Sequence, residues 1–183
     1  MIILDIDQDY FFRPIISGNV DDMTAEKVAS YKQKQDTGLA TITAKFGQRI
    51  SSNTPILIFR NHDSVGLLLQ EKRFTDVILY HLDAHSDIDP ELQSANDSIP
   101  DMNISNWISV THQHYSQVYW VLPDDVARTT TKISKEYIPF QTIGLSDVPV
   151  PNKIDLITWT LSPEWCPQDV DLFKIFTTLI APR

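Results

Sequence analysis

The segment Asp83-Ala84-His85-Ser86-Asp87 follows the apolar run Val77-Ile78-Leu79-Tyr80. Two carboxylates and an imidazole alternate with small residues, so an extended backbone would turn all three the same way. Side chains of these types can bind a hard or borderline divalent cation. His81 precedes them in the same phase, and four ionisable groups at alternate positions are hard to place in a core. A second group, Asp5-Ile6-Asp7-Gln8-Asp9, sets three carboxylates on one side of an extended chain. Carboxylates that close raise one another's pKa, and a bound dication removes the conflict. The plainer reading is an acidic turn in which Asp9 caps a backbone N–H. A third group is Asn61-His62-Asp63-Ser64. It reads first as a helix N-terminus with Asp63 or Ser64 as the N-cap, which leaves His62 able to face an ion.

Carboxylates dominate these groups, and the single Cys166 excludes a cysteine-based zinc site. A pair of Mn2+ or similar oxygen-preferring ions suits them better. Ions about 3.5–4 Å apart share a water and generate hydroxide near neutral pH, which is hydrolase chemistry.

The elements that would position these groups are short apolar strands alternating with helices. Strands are expected at 1–5, 56–59, 76–82, 118–122 and 156–160. Helices are expected at 22–48 (interrupted near Gly38), 64–74, 103–115 and 168–180, with loops at 8–21 and 88–102. This alternation predicts an α/β fold, a three-layer αβα sandwich with a mainly parallel sheet, in one domain spanning 1–183. Ligands in such sheets bind outside the carboxyl ends of the strands. Asp5 ends the first strand, His62 follows the second and Asp83 ends the third, so parallel strands would bring them to one rim.

With 183 residues, 42% hydrophobic and 21% charged, the chain is long enough for one domain with a core. A net charge of −9 argues against a nucleic-acid surface and fits a cationic ligand or a metal. No stretch approaches the ~20 apolar residues that span a bilayer. The start, Met1-Ile2-Ile3-Leu4-Asp5, turns acidic at once and lacks the basic region of a secretory signal. The expected compartment is cytoplasmic, with no membrane or nucleic-acid partner.

Taken together, Asn61-His62-Asp63-Ser64, Asp83-Ala84-His85-Ser86-Asp87 and Leu4-Asp5-Ile6-Asp7 resemble the metal motifs of the arginase and deacetylase superfamily. That resemblance implies one ion on His62, Asp83, Asp87 and Asp5, and another on His85, Asp83, Asp5 and Asp7, with Asp83 and Asp5 bridging. The motif order is rearranged, since the Asp-x-Asp segment opens the chain instead of following the other two. This order, the short length and the anchors Leu4 to Phe11, His81 to Asp87 and Ser162-Pro163-Glu164 resemble a divergent branch whose bacterial members are peptide arginases. These act on ribosomally made precursor peptides. The implied activity is hydrolysis of an arginine side chain within such a peptide to ornithine and urea. The hydroxide between two Mn2+ would be oriented by the two ions and Asp87 and attack the guanidinium carbon, with His85 on the second ion and Glu164 holding the guanidinium through paired hydrogen bonds.

Asn106 and Trp165 are further substrate-binding candidates, and Asp9 and His81 are candidate supports behind the ligands. His112 or His114 could shuttle a proton. Trp107, Trp120 and Trp159 read as core. The rival readings are a hydrolase of a free small molecule (arginine, agmatine or an acylated amine), a haloacid-type phosphatase suggested by the strand and Asp-x-Asp at 1–7, and a metal-stabilised binding module without catalysis.

Overall fold

The computed structural model describes residues 1–12, 25–88, 101–124, 139–163 and 177–179. Within them, six parallel strands form one sheet in the order β2-β6-β1-β3-β4-β5. The strands are β1 (Ile2–Asp7), β2 (Ile56–Phe59), β3 (Val77–Leu82), β4 (Tyr115–Leu122), β5 (Phe140–Gly144) and β6 (Leu156–Thr160). The helices are α1 (Ala25–Phe46), α2 (Asp63–Lys72) and the single turn α3 (Trp107–Val110). The fold is therefore α/β with a fully parallel sheet.

Alternation along β1 divides the core. Leu4 and Ile6 pack on one face with Leu39, Ile42 and Phe46 of α1, beneath Tyr80 and Leu82. Ile3 points the other way, into a second cluster with Val65 and Leu69 of α2, Trp107 and Ile108 of α3, and Val77 and Leu79. Helices thus cover both faces, which keeps the backbone of the central strands dry and explains their nearly unbroken apolar runs. Gly66 lets α2 approach α3, because a Cβ there would lie 2.6 Å from Met102 Sδ and 3.3 Å from Trp107 Cβ.

The expected interruption at Gly38 does not occur, and α1 is continuous through it. The helix expected at 103–115 shrinks to α3 and a 3-10 turn at His112–His114. The strand expected at 118–122 begins three residues earlier, at Tyr115. β5 was absent from the expected set. It lies at the sheet edge, and its sequence, Phe-Gln-Thr-Ile-Gly, is only half apolar because burial there is partial. Of the helix expected at 168–180, only the helical residues 177–179 are described. Among the described residues no helix is long and apolar enough to cross a membrane.

The chain leaves the end of β1 towards β2 on one side, and leaves the end of β3 towards β4 on the other. Such a divergence opens a crevice at the carboxyl ends of the two strands, the usual place for a ligand in this architecture.

Candidate metal centre

Asp5 is the floor of the crevice. The parallel register sets it beside His81 of β3 on one flank and Thr158 of β6 on the other. The three side chains share the α2–α3 face and are fully buried. His81 Nδ1 lies 2.8 Å from Asp5 Oδ2, and the Thr158 hydroxyl donates to Asp5 Oδ1 at 2.6 Å. His62, immediately before α2, closes the row from above, with Nε2 2.9 Å from Asp5 Oδ2. Asp5 therefore gathers two imidazoles on one oxygen and a hydroxyl on the other. Burial alone would raise its carboxyl, yet the two histidines hold it below the usual carboxylate range.

The far side of His62 faces a ring of carboxylates. Its Nδ1 lies 2.8 Å from Asp83 Oδ2, 3.0 Å from Asp7 Oδ2 and 3.1 Å from Asp87 Oδ2. Asp7 is the last residue of β1, two residues beyond Asp5 on the same face, and also accepts a hydrogen bond from the Ser162 hydroxyl. Asp83 follows β3, and its other oxygen, Oδ1, turns towards His85 Nδ1 at 3.6 Å. His85 Nδ1 also lies 2.9 Å from Asp9 Oδ2. Asp9 sits in the 3-10 turn after β1 and is fixed from two sides. The Ala84 N–H donates to its Oδ1 at 3.1 Å, and its own N–H donates to Asp7 Oδ1 at 3.0 Å.

These positions alter two sequence-based expectations about backbone. The 83–87 segment is not extended, because β3 ends at Leu82 and Asp87 adopts a left-handed conformation with φ of 51°. Asp83 and Asp87 still converge, through the bend, whereas His85 swings out to a side chain 57% exposed. Nor does Asp63 or Ser64 cap α2. Asp63 is its first helical residue, and His62 holds the N-cap position without a side-chain capping bond. His62 is thereby committed to the crevice.

The charge balance is tense. Burial, and then the carboxylates of Asp9, Asp87 and Asp7, push Asp83 up to about 7. Burial, and then Asp9, raise Asp7 as well. His85 is raised to about 10 by its hydrogen bonds to Asp83 and Asp9. For His62, burial opposes the charged form, but Asp5 and Asp7 win and hold its pKa well above the ordinary value. Five buried carboxylates, Asp5, Asp7, Asp9, Asp83 and Asp87, around three imidazoles are more negative charge than the described neighbours neutralise, and a cation would relieve it.

Geometry passes the same test. Donors about 2.1 Å from one octahedral ion stand about 3.0 Å apart at right angles and about 4.2 Å apart across it. The 2.8–3.1 Å separations around His62 Nδ1 fall at the first value. Four overlapping donor groups result, namely Asp5/His62/His81, Asp7/His62/Asp83, Asp9/Asp83/His85 and His81/Asp83/Asp87. These groups could hold a metal ion.

Matched against family models, curated proteins and solved structures, the chain finds no counterpart.

Of the site residues expected from sequence, Asp5, Asp7, Asp9, His62, His81, Asp83, His85 and Asp87 all meet at this one crevice. Asn106 does not present its amide there. Its Oδ1 accepts from the Asn103 N–H at 2.8 Å and its Nδ2 donates to the Asp101 carbonyl at 3.1 Å, so it ties the turn ahead of α3. His114 Nδ1 faces the Phe74 carbonyl at 2.5 Å, just before β4 starts and hence at the amino ends of the strands, away from the crevice. Its neighbour His112 faces the Ser109 carbonyl at 3.0 Å. Glu164 and Trp165 lie outside the described residues.

Four site residues escaped the sequence reading. Trp107 donates its indole N–H to Asp87 Oδ2 at 2.5 Å, with its ring 5.3 Å from that of His62. Trp120 donates to the Asp83 carbonyl at 3.0 Å. Thr158 and Ser162 brace Asp5 and Asp7. Thr158 carried a usable signal, a hydroxyl in the middle of a fully buried strand. The tryptophans carried none, because a large aromatic residue in an apolar segment reads equally well as packing.

Proposed function

We propose that the chain is a metal-dependent hydrolase of the arginase type. In this reading it converts arginine side chains of a peptide to ornithine with release of urea, using two Mn2+ ions, on an arginase-like sandwich with the motif order rearranged. The observation that carries the proposal is the placement of Asp83, whose Oδ2 faces His62 and whose Oδ1 faces His85. One carboxylate presented to two donor groups suits a pair of ions sharing a ligand.

The distances favour a different Asp-x-Asp pair from the one the motif comparison suggested. Asp5 has both oxygens engaged by His62, His81 and Thr158. Asp7 and Asp9, two residues further on, approach the histidine nitrogens that face the crevice. We therefore assign an inner seat to His62, Asp7, Asp83 and Asp87, and an outer seat to His85, Asp83 and Asp9. Asp5 becomes the carboxylate that orients the histidine rings.

When bound, two such ions supply Lewis acidity and a nucleophile derived from water near neutral pH. Hydrolysis places that water's oxygen on the guanidinium carbon. The bond to the side-chain nitrogen breaks, and this nitrogen leaves as the ornithine amine. The protein's part is to hold the acids in place and attract the substrate. Asp87 is fixed by the Trp107 N–H and, through its carbonyl, by the Ile108 N–H at 3.2 Å. The exposed His85 marks the open side, and the net charge of −9 favours approach of a cationic peptide. Glu164 is assigned to the guanidinium from the motif resemblance. The engaged oxygens of Asp5 argue against the phosphatase reading, which needs a free nucleophilic aspartate in the Asp-x-Asp pair.

The test is a Mn2+ titration with urea measured from an arginine-containing peptide and from free arginine. Urea from the peptide is expected. Urea from free arginine alone would move the substrate class to small molecules, and urea from neither would end the ureohydrolase reading.

A further inference from the structure

His81 is the buried group that the two seats leave unused. It is fully buried on β3, and its Nδ1 lies 2.8 Å from Asp5 Oδ2. A carboxylate only accepts, so the ring proton belongs on Nδ1. In the neutral ring that leaves the lone pair on Nε2, an atom that is buried and without a hydrogen-bond partner. The lone pair faces Asp83 Oδ2 at 3.4 Å and Asp87 Oδ2 at 3.9 Å. A lone pair aimed at two carboxylate oxygens is repulsive unless a positive charge lies between them. Both separations are too long for a charge-assisted hydrogen bond, which runs about 2.7–2.9 Å. They do fall between the about 3.0 Å and about 4.2 Å expected of donors around one ion.

His62 repeats the arrangement. It too has one ring nitrogen on Asp5 Oδ2 and the other towards Asp83 Oδ2 and Asp87 Oδ2. The two rings lie 5.1 Å apart, backed by the same carboxylate oxygen and facing the same pair of acids. A carboxylate behind a histidine sets the tautomer that leaves the other nitrogen able to bind metal, and here one carboxylate does this for two rings.

We propose that His81 is a direct ligand of the inner ion, which makes that seat a two-imidazole site of His62, His81, Asp83 and Asp87 with Asp7 at its edge. The inference rests on the two-ion reading above. It gives the seats different characters. The inner one offers two nitrogens and three carboxylates, so it has more donors and leans towards ions such as Fe2+ or Zn2+, whereas the outer one, with one nitrogen and two carboxylates, leans towards oxygen-preferring ions such as Mn2+. The inner seat therefore fills first and empties last.

The test counts nitrogens. His85→Ala removes the outer imidazole at an exposed position, and the protein is loaded with one equivalent of Mn2+ and examined by pulsed EPR for 14N imidazole couplings. Two couplings are expected. Adding His81→Asn should leave one and weaken Mn2+ binding by about tenfold or more. Wild-type protein run alongside should show three imidazole nitrogens across both ions, so the count stays readable if the His85→Ala protein loads poorly. One coupling in the His85→Ala protein, or two in the wild type, overturns the inference and leaves the hydrolase reading standing. A wild-type protein that binds no Mn2+ overturns both. Circular dichroism and thermal melting in chelator check that the His81→Asn protein is folded, and an unchanged coupling count in that folded protein also overturns the assignment.

Discussion

Replacing Thr158 by Val isolates the contribution of a single hydrogen bond to the floor of the crevice. The two side chains are nearly equal in size, and the position is fully buried, so no sizeable cavity is created. What is lost is the hydroxyl that donates to Asp5 Oδ1 at 2.6 Å. A hydrogen bond to a charged group contributes about 1.5–3 kcal/mol, and an unsatisfied buried carboxylate oxygen puts the loss at the upper end. Urea unfolding in chelator should therefore show a loss of about 2–3 kcal/mol with an unchanged slope. A second effect follows from the position of Asp5 behind His62 and His81. A less firmly held Asp5 orients the two rings less well, and perturbing such supporting carboxylates typically costs about 10–100-fold in metal affinity. Isothermal titration with Mn2+ measures this directly. A stability change below about 0.5 kcal/mol, the usual range for unremarkable substitutions, together with unaltered Mn2+ affinity would refute the argument that Thr158 anchors Asp5.

Three more outcomes follow from the same structure. Asp83→Asn removes a ligand facing both donor groups, so it should reduce bound Mn2+ from two ions to one or none by elemental analysis and abolish urea release; full metal content would exclude a shared ligand. The Asp83 carboxyl, raised to about 7, must lose its proton before it can ligate, so Mn2+ affinity should fall up to about tenfold per unit as pH drops below 7, with protons released on binding, as titration in buffers of different ionisation enthalpy would show. Because that folded-state value lies above the unfolded 3.8, protonation favours the metal-free fold, and this contribution fades as pH rises from about 4 to 7. Gly38→Ala should destabilise although Ala favours helix by about 1 kcal/mol, since its Cβ would lie 2.6 Å from the Phe11 ring, which is stacked on Trp159; a higher melting temperature would show that the ring can move aside.

The fold class was legible because apolar runs of strand length separated by amphipathic stretches admit few architectures. β1, β2, β3 and β6 and the two longer helices were anticipated to within a few residues. The miss at β5 and the overextended helix at 103–115 share a cause. The partial burial of an edge strand and the short turn of α3 are set by neighbours distant in sequence, and local pattern does not record them.

The sequence by itself determined which residue types stand ready for chemistry. Alternation put Asp5 and Asp7 on one face of β1, and His81 in phase with Asp83 beyond β3, since side chains in a strand point alternately to its two faces. Tertiary structure decided what each of them does. The parallel register set Asp5 between His81 and Thr158, 76 and 153 residues away, and so engaged both of its oxygens. The 3-10 turn after β1 carried Asp9 from an expected supporting place to His85, and α3 brought Trp107 onto Asp87. The physical reason is common to all three. Side-chain periodicity is local and written in the chain, whereas a donor's partners depend on strand register and helix placement, which the packing of the whole core settles.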